Sequence, residues 1–295
     1  MLRSPLFRFL IWKQGLSLEK PAASNQKYVA NLLSELRASR HVGRVVLLGM
    51  DGVYDAAGKL DAQATEFLIS NDYVLRVAAD YSEDFWPAVS VNPQRRDAID
   101  ELQRCAERGA RMVKWLPNAQ HFDPGDRHYI PFYRELARLG LPLLSHVGYE
   151  FSLVGKDQSV GDPGKLRVAL DEGATVIAAH GCSHGLVFWE KFYATFLDLA
   201  HSYKNFYSDI SALSLPNRLG MLLRLRRHPD LHHRLVFGTD YPLPVFRWAA
   251  YGKMSLPTLK ETKTTNRFDR QYALCKGLGV DFGSLDAIVE AGARR

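Results

Sequence analysis

The 295-residue chain carries a net charge of +6, with 46% hydrophobic and 24% charged residues, which excludes a disordered or low-complexity protein. No run approaches 18 consecutive apolar residues, so no membrane span is expected. The densest basic cluster is Arg224, Arg226, Arg227 and Arg234 in the segment 221–234. The first three alternate with leucines, as on the wet face of a helix, so no nucleic-acid partner is expected. Cys105, Cys182 and Cys275 are widely separated and show no paired spacing. This points to a reducing, cytoplasmic compartment. The start, MLRSPLFRFLIW, is basic and apolar, but Arg8 interrupts it and no small-residue cleavage site follows. A secretory leader is therefore not expected, and an amphipathic surface patch is the other reading.

In chain order, a helical pattern over 28–40 (YVANLLSELRASR) precedes an apolar run at 44–50 (RVVLLGM) that ends at Asp51-Gly52. Further short runs lie at 87–91, 111–116, 141–146, 174–180, 205–210 and 234–239, each ending at turn or polar residues. Helical stretches separate them. One spans 97–108 before Gly109, one spans 129–139 before Gly140, and one spans 163–170 between a capping Asp162 and a closing Gly173. Continuous apolar strands alternating with helices indicate a parallel sheet covered by helices. The count is seven strands where a closed barrel needs eight. The fold expected is an α/β TIM-like (β/α)8 barrel with its first strand missing or replaced. It forms one domain over 1–295, with a core at about 28–250 and peripheral ends at 1–27 and 251–295. An open doubly wound sheet is the competing architecture. It would bring a glycine-rich phosphate turn after an early strand, and Gly49-Met50-Asp51-Gly52 is not one.

In a parallel barrel the active site lies at the carboxyl ends of the strands. Lys114 lies in the apparent fourth strand and Asp209 in the seventh, while His146, His180 and Asp240 end the fifth, sixth and eighth. Two imidazoles and a carboxylate suit Zn²⁺ or a similar divalent ion. Such an ion brings the pKa of bound water to around 7. Each residue also has a structural reading. A strand-end histidine can be a satisfied core group, Asp240 can cap the turn Thr239-Asp240-Tyr241-Pro242, Asp209 can hold backbone amides, and Lys114 can snorkel. His121, His128, His184, His232, His233 and Cys182 are read as structural.

The segments LLSHVG (143–148), VIAAHGCSHG (176–185), FYSDIS (206–211) and LVFGTDYP (235–242) together resemble the amidohydrolase-related family of TIM-barrel metal-dependent hydrolases. FWPAVSVNP (85–93) and GARMVKWLPN (109–118) resemble its third- and fourth-strand segments, so the likeness covers roughly 28–250. The resemblance implies a divalent metal, Zn²⁺ foremost, held by His146, His180 and Asp240. Lys114 stands where some members carry a carboxylated, bridging lysine. It implies His180 and Asp240 as catalytic residues acting on a metal-activated water. The family includes hydrolases and non-oxidative decarboxylases, and a small, carboxylated or cyclic substrate follows.

The family's first-strand His-x-His pair is absent from the ten histidines. Three explanations stay open: a trimmed or misassigned start, a reduced ligand set, or a barrel that has lost its metal and activity and serves as a binding module. Tyr149, Glu150 and Phe151 after the fifth strand and Tyr241 after the eighth are candidate pocket residues, Glu150 and Tyr241 foremost for substrate binding, and the apolar, arginine-rich 212–227 segment is a candidate homo-oligomer contact.

Overall fold

The computed structural model describes residues 5–150, 153, 157–187 and 189–293. The short apolar runs become seven strands: β1 (Val45–Leu48), β2 (Phe85–Val89), β3 (Met112–Trp115), β4 (Leu143–Ser145), β5 (Val176–Ala178), β6 (Phe206–Asp209) and β7 (Leu235–Val236). All neighbours pair in parallel, in sequence order, with Leu48 opposite Ala88 and Trp115 opposite Ser145. Helices cross between them, as right-handed parallel connections require. The result is an incomplete (β/α)8 barrel.

Period-two alternation sorts the strand residues. Val89, Val113, Trp115, Leu143, Val176 and Phe206 face outward onto the surrounding helices. There they meet Leu102 and Cys105 of the helix Ala98–Glu107, Phe132, Tyr133 and Leu136 of Ile130–Leu139, and Phe196 and Leu199 of Tyr193–Ser202. The inward residues Ala88, Met112, Ile177 and Val236 pack with Ile288 and Val289 of the helix Leu285–Ala293, which therefore forms the floor of the barrel.

Local chemistry explains the helix limits. Asp162 Oδ1 accepts from the Gly164 amide at 2.8 Å, starting the turn Pro163–Leu166 that runs into the helix Arg167–Asp171. Gly140 ends the helix Ile130–Leu139 in the left-handed conformation, which a side chain adopts only at a cost. In the helix Leu219–Leu225, Met221, Leu222 and Leu225 are buried in the core while Arg226 and Arg227 beyond it are exposed. The three cysteines are unbridged and buried. Burial pushes all three thiols up, those of Cys105 and Cys275 to about 12, so none is an activated nucleophile. Among the described residues no helix is long and apolar enough to cross a membrane.

Among the described residues, β1 and β7 are not paired with each other. All four residues of β1 are only half-buried, whereas four of the five in β2 are buried. The outer edge of β7 is partly covered from the C-terminal side: the Gly283 amide donates to Leu235 O at 2.8 Å, and Gly283 forms a parallel bridge with Val236. Beside β1 the described residues place no further strand; instead the helix Pro21–Arg37 packs Val29, Leu32, Leu33 and Leu36 against Val45, Leu47 and Phe237.

Candidate active site

Lys114 points inward between the outward-facing Val113 and Trp115. His146 follows β4, and its amide extends the ladder to Trp115 O at 2.9 Å. His180 follows β5 and Asp240 follows β7, both in the left-handed region at φ 59° and 61°. Cys182 and Ala212 at the same end of the sheet share that conformation. Non-glycine residues held there cost free energy and cluster at functional sites.

Asp209 supports His180. Its Oδ1 accepts from the His180 amide (2.8 Å), the Ser211 amide (2.9 Å) and the Ser211 hydroxyl (2.6 Å). His180 Nδ1 lies 2.8 Å from Ser211 Oγ. Because the single hydroxyl proton goes to Asp209, the network assigns the imidazole proton to His180 Nδ1. His180 Nε2 then accepts from His146 Nδ1, 3.3 Å away. This chain leaves His146 Nε2 as an unprotonated lone pair, buried and without a hydrogen-bond partner. It stands 3.7 Å from Glu150 Oε2. A proton donor placed there would satisfy the His146 nitrogen. Burial pushes both imidazoles well below the usual histidine range, with Arg218 adding to the effect, so both rings are neutral.

Asp240 is reached by water within the cavity but is ringed by protein. Desolvation raises its carboxyl to about 6, against the pull of Lys114. Burial lowers the Lys114 ammonium, and Asp209, Asp240 and Glu150 hold it up. Lys114, His146, Glu150, His180, Asp240 and Tyr241 all border one cavity of about 1620 Å³. This exceeds a typical ligand pocket because the cavity continues between β1 and the helix Pro21–Arg37, where Val29 and Leu32 line it with Val45 and Leu47. Tyr241 is a wall residue, stacked on Phe268 at 5.9 Å, with its hydroxyl donating to Gln14 Oε1 at 3.4 Å. Phe151 lies outside the described residues. The histidines 121, 128, 184, 232 and 233, and Cys182, do not border the cavity. Asp51, at the end of β1, is structural: it accepts from the amides of Gly52 and Asn92, both at 2.8 Å.

Sequence reasoning missed Arg218 and Ser211, which also border the cavity. Arg218 lies in Pro216-Asn217-Arg218, a loop following β6 on the side where barrel sites form, and that position was the available signal.

The chemistry of a divalent ion can be tested against these donors. A zinc centre needs at least three protein ligands converging at about 2.0–2.3 Å. His180 engages both ring nitrogens within the chain, and among the described residues no three His, Cys, Asp or Glu side chains are disposed to share a cation. The residues as arranged do not fit a divalent ion: of the two imidazoles only His146 Nε2 is open, and with the Asp240 carboxylate it falls short of three converging ligands. Zn²⁺ added to the purified chain is therefore expected to be lost on desalting, as measured by elemental analysis. One ion retained per chain would show that the imidazoles reorient around it.

The amidohydrolase family model matches residues 44–265, beginning at the edge of β1. No curated protein sequence matches the chain significantly. Among solved structures, an uncharacterised TIM-barrel protein of Bordetella bronchiseptica is similar at 19% identity and TM-score 0.62, over 92% of this chain and 86% of that one. A Pseudomonas putida protein assigned as a 2-pyrone-4,6-dicarboxylic acid hydrolase aligns at 16% identity and TM-score 0.54, over 88% and 86%. The 5-carboxyvanillate decarboxylase of Sphingomonas paucimobilis aligns at 15% identity and TM-score 0.53, over 88% and 82%. At these identities the structural likenesses speak to fold, whereas the family model spans most of the chain. The chain belongs to the amidohydrolase family.

Proposed function

We propose that the chain is a hydrolase, or a non-oxidative decarboxylase, acting on a small cyclic carboxylated compound held in the cavity at the carboxyl ends of the strands. The observation that carries this reading is the convergence of Lys114, His146, His180 and Asp240, from four different strands, on one cavity. Structural relatives that include a dicarboxylic acid hydrolase and a carboxyvanillate decarboxylase favour a ring carboxylate as the substrate class.

The roles follow from protonation. Above about pH 6 Asp240 is an anion and acts as general base on a water; below it, Asp240 is a proton donor. His180, oriented by Ser211 and Asp209, fixes the tautomer of His146, whose free Nε2 accepts a proton from water or a substrate hydroxyl. In this reading Lys114 stabilises the negative charge that develops on a substrate oxygen, in buried surroundings that strengthen such an interaction. Glu150 and Tyr241 shape the binding wall. A divalent metal, which the family resemblance implies, has no complete donor set in this arrangement, and no step is assigned to one.

A panel of aromatic and heterocyclic carboxylates and their lactones tests the reading, with loss of ring absorbance and carbon dioxide release as readouts. Turnover of at least one compound is expected. Hydrolysis by Asp240 as base rises through about pH 6, whereas decarboxylation with Asp240 as proton donor falls through it. No turnover of any compound, with ligands still bound in the cavity, would favour the non-catalytic binding module instead.

A further inference from the structure

Arg218 carries a buried guanidinium that the fold pairs only in part. The residue is buried at 6% exposure and borders the cavity. Its side chain makes one hydrogen bond among the described residues, from Nη1 to Ser183 O at 3.2 Å. No carboxylate of a described residue lies within 4.0 Å of it. Asp240, Glu150, Glu190 and Asp209 act on it from farther off, and burial outweighs them. A guanidinium has five donors in a planar fork, and a buried charge with one hydrogen bond is costly unless a partner completes it. Glu190 does not complete it. Its carboxylate already accepts from the Ser183 hydroxyl and from the amides of His184 and Met221.

The backbone holds Arg218 in place. Its amide donates to Leu215 O at 3.0 Å, and it immediately precedes the helix Leu219–Leu225. The guanidinium packs beside Gly185, where an added Cβ would lie 3.5 Å from Nη2. A fork fixed in this way at the wall of a cavity is preorganised for a planar, bidentate anion.

We infer that Arg218 is the anchor for a carboxylate group of the ligand, so that the cavity selects monoanionic ring acids over their neutral isosteres. This deepens the proposed function by naming the group that is recognised, and it rests on that reading for the identity of the site. It assigns the carboxylate to Arg218 rather than to Lys114, which faces Asp209 and Asp240.

Calorimetric titration with benzoate, and with benzamide as its neutral isostere, tests the inference without needing turnover. At pH 7.5 the wild type is expected to bind benzoate roughly ten- to hundred-fold more tightly than benzamide. Arg218→Gln should lose that preference, Arg218→Lys should keep part of it, and Lys114→Met should keep most of it. Circular dichroism confirms that each variant is folded, and if Arg218→Gln does not fold, the benzoate–benzamide ratio in the wild type and in Arg218→Lys still decides. Equal binding of benzoate and benzamide overturns the inference. So does a preference lost in Lys114→Met and kept in Arg218→Gln, or no benzoate binding at millimolar concentration. An Arg218-dependent preference for benzoate in a protein that turns over no ring acid would leave this inference standing and remove the catalytic reading instead.

Discussion

Asp240→Asn is expected to lower turnover of any accepted substrate by roughly a thousandfold or more while leaving the protein folded. The size follows from the role. Asparagine can neither take a proton from water nor return one to carbon, and the other base in reach, His146 Nε2, is a weak one because burial holds its ring well below the usual histidine range. The backbone makes this substitution a clean one. Asp240 has φ 61°, and asparagine tolerates the left-handed region about as well as aspartate does. Alanine would add backbone strain and confuse lost chemistry with lost structure. The carboxyl of Asp240 is raised to about 6, so the folded chain binds a proton there that the unfolded chain has released. Its contribution to stability is therefore present below the ordinary carboxylate range and is lost as pH rises through about 6. At pH 7.5 the Asn variant gives up no favourable ionisation at this position, and its thermal midpoint is expected to be no lower than that of the wild type. Full activity in Asp240→Asn would remove this residue from the mechanism.

Gly140→Ala is expected to destabilise the fold by about 2–4 kcal/mol. Gly140 has φ +64°, and a Cβ added there would lie 1.9 Å from Gly292 O. The contact is reciprocal, since a Cβ on Gly292 would lie 2.0 Å from Gly140 O. These two glycines let the end of the helix Ile130–Leu139 meet the helix Leu285–Ala293 backbone to backbone. That second helix carries Ile288 and Val289 beneath Met112, Ile177 and Val236, so forcing it outward loosens the cavity floor as well. Gly109 is the control. It has φ +90° but nothing within 4 Å of an added Cβ, so Gly109→Ala should lose only the conformational part, about 1 kcal/mol. Urea unfolding of the two variants separates the effects. Equal losses would mean that the close approach of Gly140 and Gly292 carries no energy.

What was legible in the sequence was what is local. Each strand is a short apolar run ending at a turn, so the seven strands, their parallel order and the gap at the start could be read in one dimension. His146, His180 and Asp240 could be read because a barrel puts the last residue of every strand at the same mouth. Lys114 could be read because a lysine between Val113 and Trp115 interrupts an apolar alternation. Arg218 could not, because a loop arginine gives no sign of whether it is solvated or buried, and here the packing around Ser183 and Gly185 decides it. The Asp209–Ser211–His180–His146 chain was equally hidden. It joins three strand ends through distances that sequence spacing does not encode, and it occupies the imidazole nitrogens that a zinc centre would need. What the apolar face of 212–227 contacts was hidden in the same way. Periodicity showed an apolar face, but only tertiary packing shows that Leu213, Met221, Leu222 and Leu225 are spent in the core.

The central claim is that side chains from separate strands form one electrostatically coupled site, and the coupling of Lys114 to Asp240 tests it most directly. Protein carrying ¹³Cγ-labelled aspartate, titrated by NMR and assigned with Asp240→Asn, reports the Asp240 carboxyl without need of a substrate. The account predicts a resonance titrating near pH 6 that moves upward in Lys114→Met, because the amine that favours the carboxylate is gone. An Asp240 resonance that titrates near the ordinary value of 3.8 in both proteins would contradict it.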